Sequence, residues 1–128
     1  MTQITEDYCD FETAKLLKEK GLDAYVSSFY DDEGKFSRKQ ADWNWNIGPH
    51  YSAPTLQTAM KWLREVHNCH IYVQTLITTD GLQGYCPFYT KIGGVFMWQN
   101  VLGDDYATAP TYEEACEAAI KYCLEKLI

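Results

Sequence analysis

The chain has few basic residues and no long apolar run. Arg38 and Arg64 are its only arginines, and Lys and Arg together number 11 against 18 Asp and Glu, which gives a net charge of −7. Unaided binding to phosphates requires clustered basic side chains, so we expect neither a direct nucleic-acid ligand nor an anionic membrane surface. No stretch approaches the ~18 apolar residues of a membrane-spanning helix. The acidic balance favours a partner protein with a basic surface.

From the sequence we expect neither a secretory signal nor a disulfide framework. Its N-terminus has neither a basic start nor an apolar run. Its five cysteines are odd in number and follow no framework spacing. Both features favour reduced thiols, so we expect a cytoplasmic protein.

The chain is rich enough in apolar and aromatic residues to build a core. Its 128 residues fit a single domain, 1–128, and a hydrophobic content of 46% is too high for a disordered chain. Aromatic residues make up 15%, with ten Tyr and four Trp. We expect most of these rings in the core and some at the surface, where aromatics are enriched in binding interfaces.

Capping signals and apolar periodicity predict three helices. The first covers about 6–20, with Gly21 at the position of a C-terminal glycine cap. The second covers about 54–67 and stops at Asn68. The third begins after Thr111, where Thr-Tyr-Glu-Glu has the pattern of a capping box, and runs to residue 128. The buried stripe of the second helix consists of Leu56, Ala59, Met60, Leu63 and Val66.

Five strands are predicted around these helices. They lie at 24–30, within 35–47, and at 70–77, 85–92 and 95–102. The resulting order, α-β-β-α-β-β-β-α, predicts the α+β fold class. The expected architecture is one largely antiparallel sheet of about five strands with the helices packed on it.

Several local signals refine the strand predictions. Residues 31–34 form a turn that ends in a glycine, and Gly93-Gly94 has the pattern of a two-residue hairpin turn. Pro87 predicts an edge strand or a bulge. Strict alternation places three large apolar residues on one face of a strand, namely Trp43, Trp45 and Ile47.

Three segments carry a resemblance to a known family. The phrases Ala14–Asp23, Ala53–Val73 and Thr111–Ile128 are similar to segments of small uncharacterised proteins from gut Bacteroides-type bacteria, often from prophages and other mobile elements. The resemblance implies a shared fold, because its matching positions are mostly helix stripes and caps. It implies no activity and no catalytic residues, since none is assigned in the family.

The chemistry-bearing residues form no recognisable catalytic or metal-binding motif. His67, Cys69 and His70 are the densest group of possible ligands, but their spacing fits no zinc pattern and their side chains diverge where a helix meets a strand. Cys116 and Cys123 share a helix face as small core residues. We therefore predict no catalytic residue, metal site or cofactor.

From residue 54 onward the predicted order α-β-β-β-α is also that of a double-stranded-RNA-binding domain. Such domains present lysines at the start of the last helix to hold phosphates. Here Glu113 and Glu114 occupy those positions. Because the sign of the charge is wrong, this order predicts no RNA-binding function.

Four residues are candidates for a binding surface: Trp43, Trp45, Trp62 and Arg64. Trp62 lies off the main apolar stripe of the second helix, and Trp43 with Trp45 forms the kind of tryptophan pair that interfaces use. Each tryptophan has a core position as its alternative. The leading hypothesis is a non-enzymatic module that binds another protein or itself. The alternatives are a small ligand-binding domain or enzyme with a pocket against the sheet, and an acidic decoy that occupies a nucleic-acid-binding protein.

Overall fold

The computed structural model describes residues 4–93 and 97–128. Its chain divides into two compact units, residues 1–59 and 60–128. The described residues contain three α-helices and two three-stranded antiparallel sheets, so the α+β class is confirmed. The prediction of one sheet of about five strands is wrong, because each unit builds its own sheet around a central strand with both edges occupied. The assignment of 1–128 to a single domain stays a prediction.

The first unit contains one helix and the first sheet. Helix α1 is Phe11–Glu19, and the strands are β1 Val26–Tyr30, β2 Phe36–Trp43 and β3 Tyr51–Ser52, with a short 3₁₀ helix at Trp45–Ile47. The strand order is β2-β1-β3, antiparallel throughout. Strand β3 is absent from the predicted element order.

Helix α1 starts later than expected because the preceding residues are extended. Tyr8 forms a β-bridge with Thr55, and the Asp7 carbonyl accepts a hydrogen bond from the backbone of Leu56 at 2.9 Å. Asp10 then caps the helix, since its carboxylate accepts from the Thr13 N–H at 2.8 Å.

The C-terminal end of α1 confirms the predicted glycine cap. Gly21 has a φ of 93°, and its N–H donates to the Lys18 carbonyl at 3.1 Å. The Leu22 N–H donates to the Leu17 carbonyl at 2.9 Å, which completes a Schellman motif.

The predicted strand alternation across 43–47 is wrong. Strand β2 ends at Trp43, and the Asn44 side chain accepts a hydrogen bond from the Asn46 N–H at 3.1 Å, which caps the 3₁₀ helix. Asparagine side chains compete in this way with the hydrogen-bond ladder of a strand. As a result Ile47 is 70% exposed and shares no strand face with the two tryptophans.

The second unit holds the second sheet. Helix α2, Leu56–His67, begins in the residues of the first unit and continues into those of the second. The strands of the second unit are β4 Cys69–Thr78, β5 Gly81–Lys91 and β6 Gln99–Asn100, and helix α3, Tyr112–Tyr122, continues as a π-helical turn over Cys123–Leu127. The strand order β4-β5-β6 is antiparallel. Gly94 of the predicted hairpin turn, and residues 95 and 96 of the strand predicted at 95–102, lie outside the described residues. Within the described part, that strand is confined to Gln99–Asn100.

The predicted stripe of α2 is confirmed except at its end. Leu56, Ala59, Met60 and Leu63 are buried, whereas Val66 is 57% exposed. The helix begins after Thr55, whose hydroxyl accepts from the Thr58 N–H at 3.1 Å. Asn68 ends it with a positive φ of 57°, as the sequence predicts.

Pro87 lies in the central strand β5, so its predicted place at an edge is wrong. A strand residue directs its N–H and C=O to the same side, and the Pro87 carbonyl accepts from the Val101 N–H at 2.9 Å. The missing proline donor therefore faces the end of β6, which is only two residues long. The proline is tolerated because the ladder on that side is already short.

Helix α3 covers one face of the β4–β5 hairpin. Its cap is confirmed, since the Thr111 hydroxyl accepts from the Glu114 N–H at 3.1 Å. The Tyr122 and Tyr89 hydroxyls are 3.3 Å apart, and the Lys91 ammonium donates to the Leu127 carbonyl at 2.6 Å. Across the described residues, no helix combines the length and the apolar character needed to cross a bilayer.

Candidate functional site

The face of the β4–β5 hairpin opposite α3 carries the candidate site. The odd-numbered residues of β5 turn towards the helix, as the contact of Tyr89 with Tyr122 shows. Successive side chains of a strand alternate between faces, so the even-numbered residues lie on the other side. There Tyr72 lies opposite Phe88, and Gln74 lies opposite Cys86.

A groove runs across this face, and we call it the aromatic groove. Its volume is about 360 Å³. Strands β4 and β5 form its floor, and the segment around β6 forms its wall. The lining residues are Tyr72, Gln74, Leu76, Cys86, Phe88, Trp98, Asp105 and Tyr106.

The rings of the groove are held at fixed angles to one another. Tyr72 stacks on Phe88, with ring centroids 5.2 Å apart and planes 14° apart. Trp98 stands nearly perpendicular to Tyr72, at 4.7 Å and 87°. Phe88 is buried, whereas Tyr72, Trp98 and Tyr106 are 40%, 44% and 74% exposed. The exposed rings therefore offer faces to a ligand on a packed base.

The buried amide of Asn100 shapes the loop that supplies Asp105 and Tyr106. Its Nδ2 donates to the Ala107 carbonyl at 2.9 Å, and its Oδ1 accepts from the Leu102 N–H at 2.8 Å. Both bonds tie the loop to the end of β6. A buried side chain that is bonded to backbone on two sides stabilises this conformation of the loop.

The far end of the same loop is fixed to β5. Ala109 and Tyr85 exchange two backbone hydrogen bonds, at 2.8 and 3.0 Å. The loop approaches so closely that a Cβ on Gly84 would lie 2.6 Å from the Cβ of Thr108. The loop is thus anchored at both ends, and its groove residues have defined positions.

The thiol in the groove is unsuited to nucleophilic chemistry. Cys86 is 2% exposed, and burial raises the pKa of its thiol above the ordinary value. A thiol needs to lose its proton to become a nucleophile. Cys86 therefore serves as part of the apolar floor, and the groove can bind without performing thiol chemistry.

Trp43 and Trp45, predicted as binding candidates, have different surroundings in the first unit. Trp43 is 50% exposed and lies 6.3 Å from the ring of Tyr25, itself 67% exposed. Trp45 is half-buried, stacks on Phe29 at 4.2 Å and donates its indole N–H to the Val26 carbonyl at 2.8 Å. Trp45 is therefore held by stacking and by a hydrogen bond, whereas half of the surface of Trp43 is exposed.

Trp62 and Arg64, the other two candidates, lie on α2. Trp62 is half-buried and contacts the ring of His67 edge-on at 4.7 Å, and Arg64 is exposed. Neither belongs to the lining of the aromatic groove, and neither do Trp43 and Trp45. Their role in binding stays a prediction.

The possible metal ligands are not gathered into a site. Cys69 is fully buried, and its thiol donates to the His67 carbonyl at 3.6 Å. Within 4–93 and 97–128, no three His, Cys, Asp or Glu side chains stand close enough to hold a metal ion.

None of the residues that line the aromatic groove was predicted as a site residue from the sequence. A signal was present, because Tyr72, Gln74 and Leu76 alternate with residues of the opposite face. This alternation indicates which residues share a face of β4, but it does not indicate which strand pairs with β4. Only the pairing with β5 brings Phe88 and Trp98 to the same face.

A second, smaller cavity of about 190 Å³ lies in the first unit. Its lining is dominated by hydroxyl groups, from Tyr8, Ser27, Ser28, Thr55 and Thr58, with the carboxylate of Asp42. It offers less volume and fewer aromatic faces than the aromatic groove, which remains the better candidate for a ligand site.

Comparisons with protein-family models, with curated proteins and with solved structures gave no match to this chain. The resemblance of 14–23, 53–73 and 111–128 to small proteins of gut bacteria and their mobile elements stays a prediction. So does the cytoplasmic location.

Proposed function

We propose that this protein is a non-enzymatic binding module that takes a segment of a partner protein into the aromatic groove. The observation that carries the proposal is the set of exposed rings, Tyr72, Trp98 and Tyr106, held on a packed base beside a doubly anchored loop. Rigid aromatic side chains bury large areas on binding and lose little conformational entropy, which is why they dominate binding energy in interfaces.

The chemistry of the groove supports binding over catalysis. Its thiol is held protonated by burial, since the pKa of Cys86 is raised. The groove lining combines one acidic residue, Asp105, with aromatic residues and the amide residue Gln74, a composition that suits recognition.

The test is affinity capture from a lysate of the native host, with the wild-type protein and two variants. Trp98→Ala removes an exposed ring of the groove. Trp43→Ala removes a ring of similar exposure outside it, so it controls for general loss of surface aromatic area. We expect a protein that is retained by the wild type and by Trp43→Ala. Trp98→Ala is expected to weaken its binding about thirtyfold, the effect of losing a central aromatic contact.

If a partner protein is lost with Trp43→Ala and retained with Trp98→Ala, the binding surface lies in the first unit and not in the groove. If no protein depends on Trp98, the proposal is wrong. Analytical ultracentrifugation of the same three proteins tests for self-association through the groove. A dimer formed there would be weakened by Trp98→Ala and not by Trp43→Ala.

A small ligand-binding domain is the second candidate, favoured by one observation. The groove brings a thiol and a carboxylate, Cys86 and Asp105, together with Tyr and Trp side chains. A screen of small molecules by nuclear magnetic resonance separates the two proposals. A compound that binds in the groove at micromolar concentration, with no protein captured, supports the second.

A further inference from the structure

The aromatic groove combines ring faces with a carboxylate. Trp98 stands perpendicular to Tyr72 at 4.7 Å, and Asp105 and Tyr106 come from the anchored loop at the wall. The faces of tyrosine and tryptophan carry negative potential and attract cations within about 6 Å of the ring centroid. Asp105, which belongs to the same groove lining, adds an acidic side chain. This combination selects a positively charged group.

We infer that the groove accepts an arginine side chain from a basic segment of a partner protein. The inference rests on the proposed function and names the chemistry of its ligand. Arginine is favoured over lysine because the planar guanidinium stacks on aromatic faces and pairs with a carboxylate through two parallel hydrogen bonds. The perpendicular rings and the Asp105 carboxylate supply both kinds of contact.

The charge around the groove agrees with this choice. No Lys or Arg belongs to the described lining residues, whereas one acidic residue, Asp105, does. The whole chain carries a net charge of −7, which raises the rate of encounter with a basic segment.

The size of the groove favours a side chain with its flanking backbone over a folded element. Its volume of about 360 Å³ lies near the lower end of the range of small-ligand pockets; that range is about 300 to 1,000 Å³. The amide of Gln74 lines the groove as well, and it can bond the backbone beside the arginine.

The test uses three short peptides with the full-length protein. The peptides are acetyl-Gly-Arg-Gly-amide, its lysine counterpart and its citrulline counterpart. Citrulline keeps the planar shape and length of the arginine side chain, but a carbonyl oxygen replaces one NH2 group and the side chain is uncharged. Titrations are followed by two-dimensional nuclear magnetic resonance at the Trp98 indole N–H and at the backbone amides of Asp105 and Tyr106. We expect the arginine peptide to shift these signals, with about tenfold weaker binding of the citrulline peptide and weaker binding of the lysine peptide.

Two variants test the carboxylate. Asp105→Asn keeps the shape of the side chain and removes its charge. We expect this variant to bind the arginine peptide about tenfold more weakly and to bind the citrulline peptide with unchanged affinity. Asp105→Glu restores the charge and is expected to recover most of the affinity. Trp43→Ala serves as the control outside the groove and is expected to change nothing.

The inference is overturned if the citrulline or lysine peptide binds as tightly as the arginine peptide, or if the arginine peptide shifts signals only outside the groove. Its failure is distinguishable from failure of the proposed function. If a partner protein loses binding with Trp98→Ala and keeps it with Asp105→Asn, that result supports the binding module and contradicts the inference that its ligand is an arginine. If no captured protein depends on Trp98, both the proposed function and the arginine inference are wrong.

Discussion

Single residues determine the shape of the aromatic groove in this chain, and Gly84 is the most constrained of them. Its φ is 148°, a backbone conformation that side chains with a Cβ rarely adopt. An added Cβ would also lie 2.9 Å from the Ala109 carbonyl oxygen. The loop that carries Asp105 and Tyr106 can pack against β5 only because residue 84 has no side chain.

We therefore expect Gly84→Ala to lower the free energy of unfolding by about 2 to 4 kcal/mol, through backbone strain and the clash with the loop. Denaturant unfolding measures the change. Gly48→Ala is the matched control, because Gly48 has a φ of −121° and open space around its Cβ position. The control is expected to stay within about 0.5 kcal/mol of the wild type. Equal stability of the two variants would contradict the close approach of the loop.

At the scale of elements, helix α3 is held on the hairpin through buried thiols and tyrosines. Burial, with the neighbouring thiol of Cys69, raises the pKa of Cys123 to about 12. Burial also raises the pKa of Cys69. Both thiols are therefore protonated in the folded protein at pH values where an unfolded chain has lost the proton, since the ordinary thiol value is 9.0.

The sign of the pH dependence follows from these shifts. A raised pKa in the folded state means that the folded protein binds more protons than the unfolded chain, so stability falls as pH rises. The contribution of Cys123 to the free energy of unfolding is fully present below pH 9.0 and is lost as the pH approaches about 12. We expect the free energy of unfolding to decrease across this window by up to about 1.4 kcal/mol per pH unit for Cys123.

Denaturant unfolding at a series of alkaline pH values measures this decrease. Cys123→Ala lacks the titrating group, so its stability is expected to be lower than that of the wild type near neutral pH but to fall less steeply above pH 9.0. Parallel slopes for the two proteins would show that Cys123 does not carry the dependence.

At the scale of the whole molecule, every cysteine side chain is buried. All five cysteines are free thiols, and none is more than 2% exposed. Each thiol therefore needs an opening of the structure before it can meet a reagent. Cysteine in this protein behaves as a small core residue.

We expect no rapid reaction of the native protein with an aromatic disulfide reagent near pH 8, because reaction waits for local or global unfolding. In concentrated guanidinium chloride all five thiols are expected to react at once. Low denaturant concentrations should accelerate the native reaction as they raise the population of open states. A stoichiometric fast thiol under native conditions would contradict the burial.

Local features of the fold were predictable because local sequence causes them. The glycine cap at Gly21, the helix stop at Asn68 and the Thr111 cap each depend on residues within one turn of the chain, and the structure confirms all three. The apolar stripe of α2 is equally local. Such signals need no knowledge of the rest of the molecule.

The predictions of a single sheet and of an edge position for Pro87 failed because they concern pairing between segments. The turn after Thr78 sets Thr78 opposite Gly81, but a bulge between Leu76 and Ile77 shifts the register of the hairpin. Without the bulge, Tyr72 would lie opposite Pro87, and Phe88 would point to the other face. A shift of one residue exchanges the faces of a strand, so the groove could not be read from the turn alone.

The sequence alone determined the charge, the α+β class and three helix caps or stops, at Gly21, Asn68 and Thr111, because these follow from composition and from contacts within a few residues. Tertiary structure alone decided that the strands form two sheets and that Tyr72, Phe88 and Trp98 meet beside Asp105. Those juxtapositions join segments up to 33 residues apart in the numbering. They depend on a bulge, a glycine and a buried amide whose effects appear only when the strands pair.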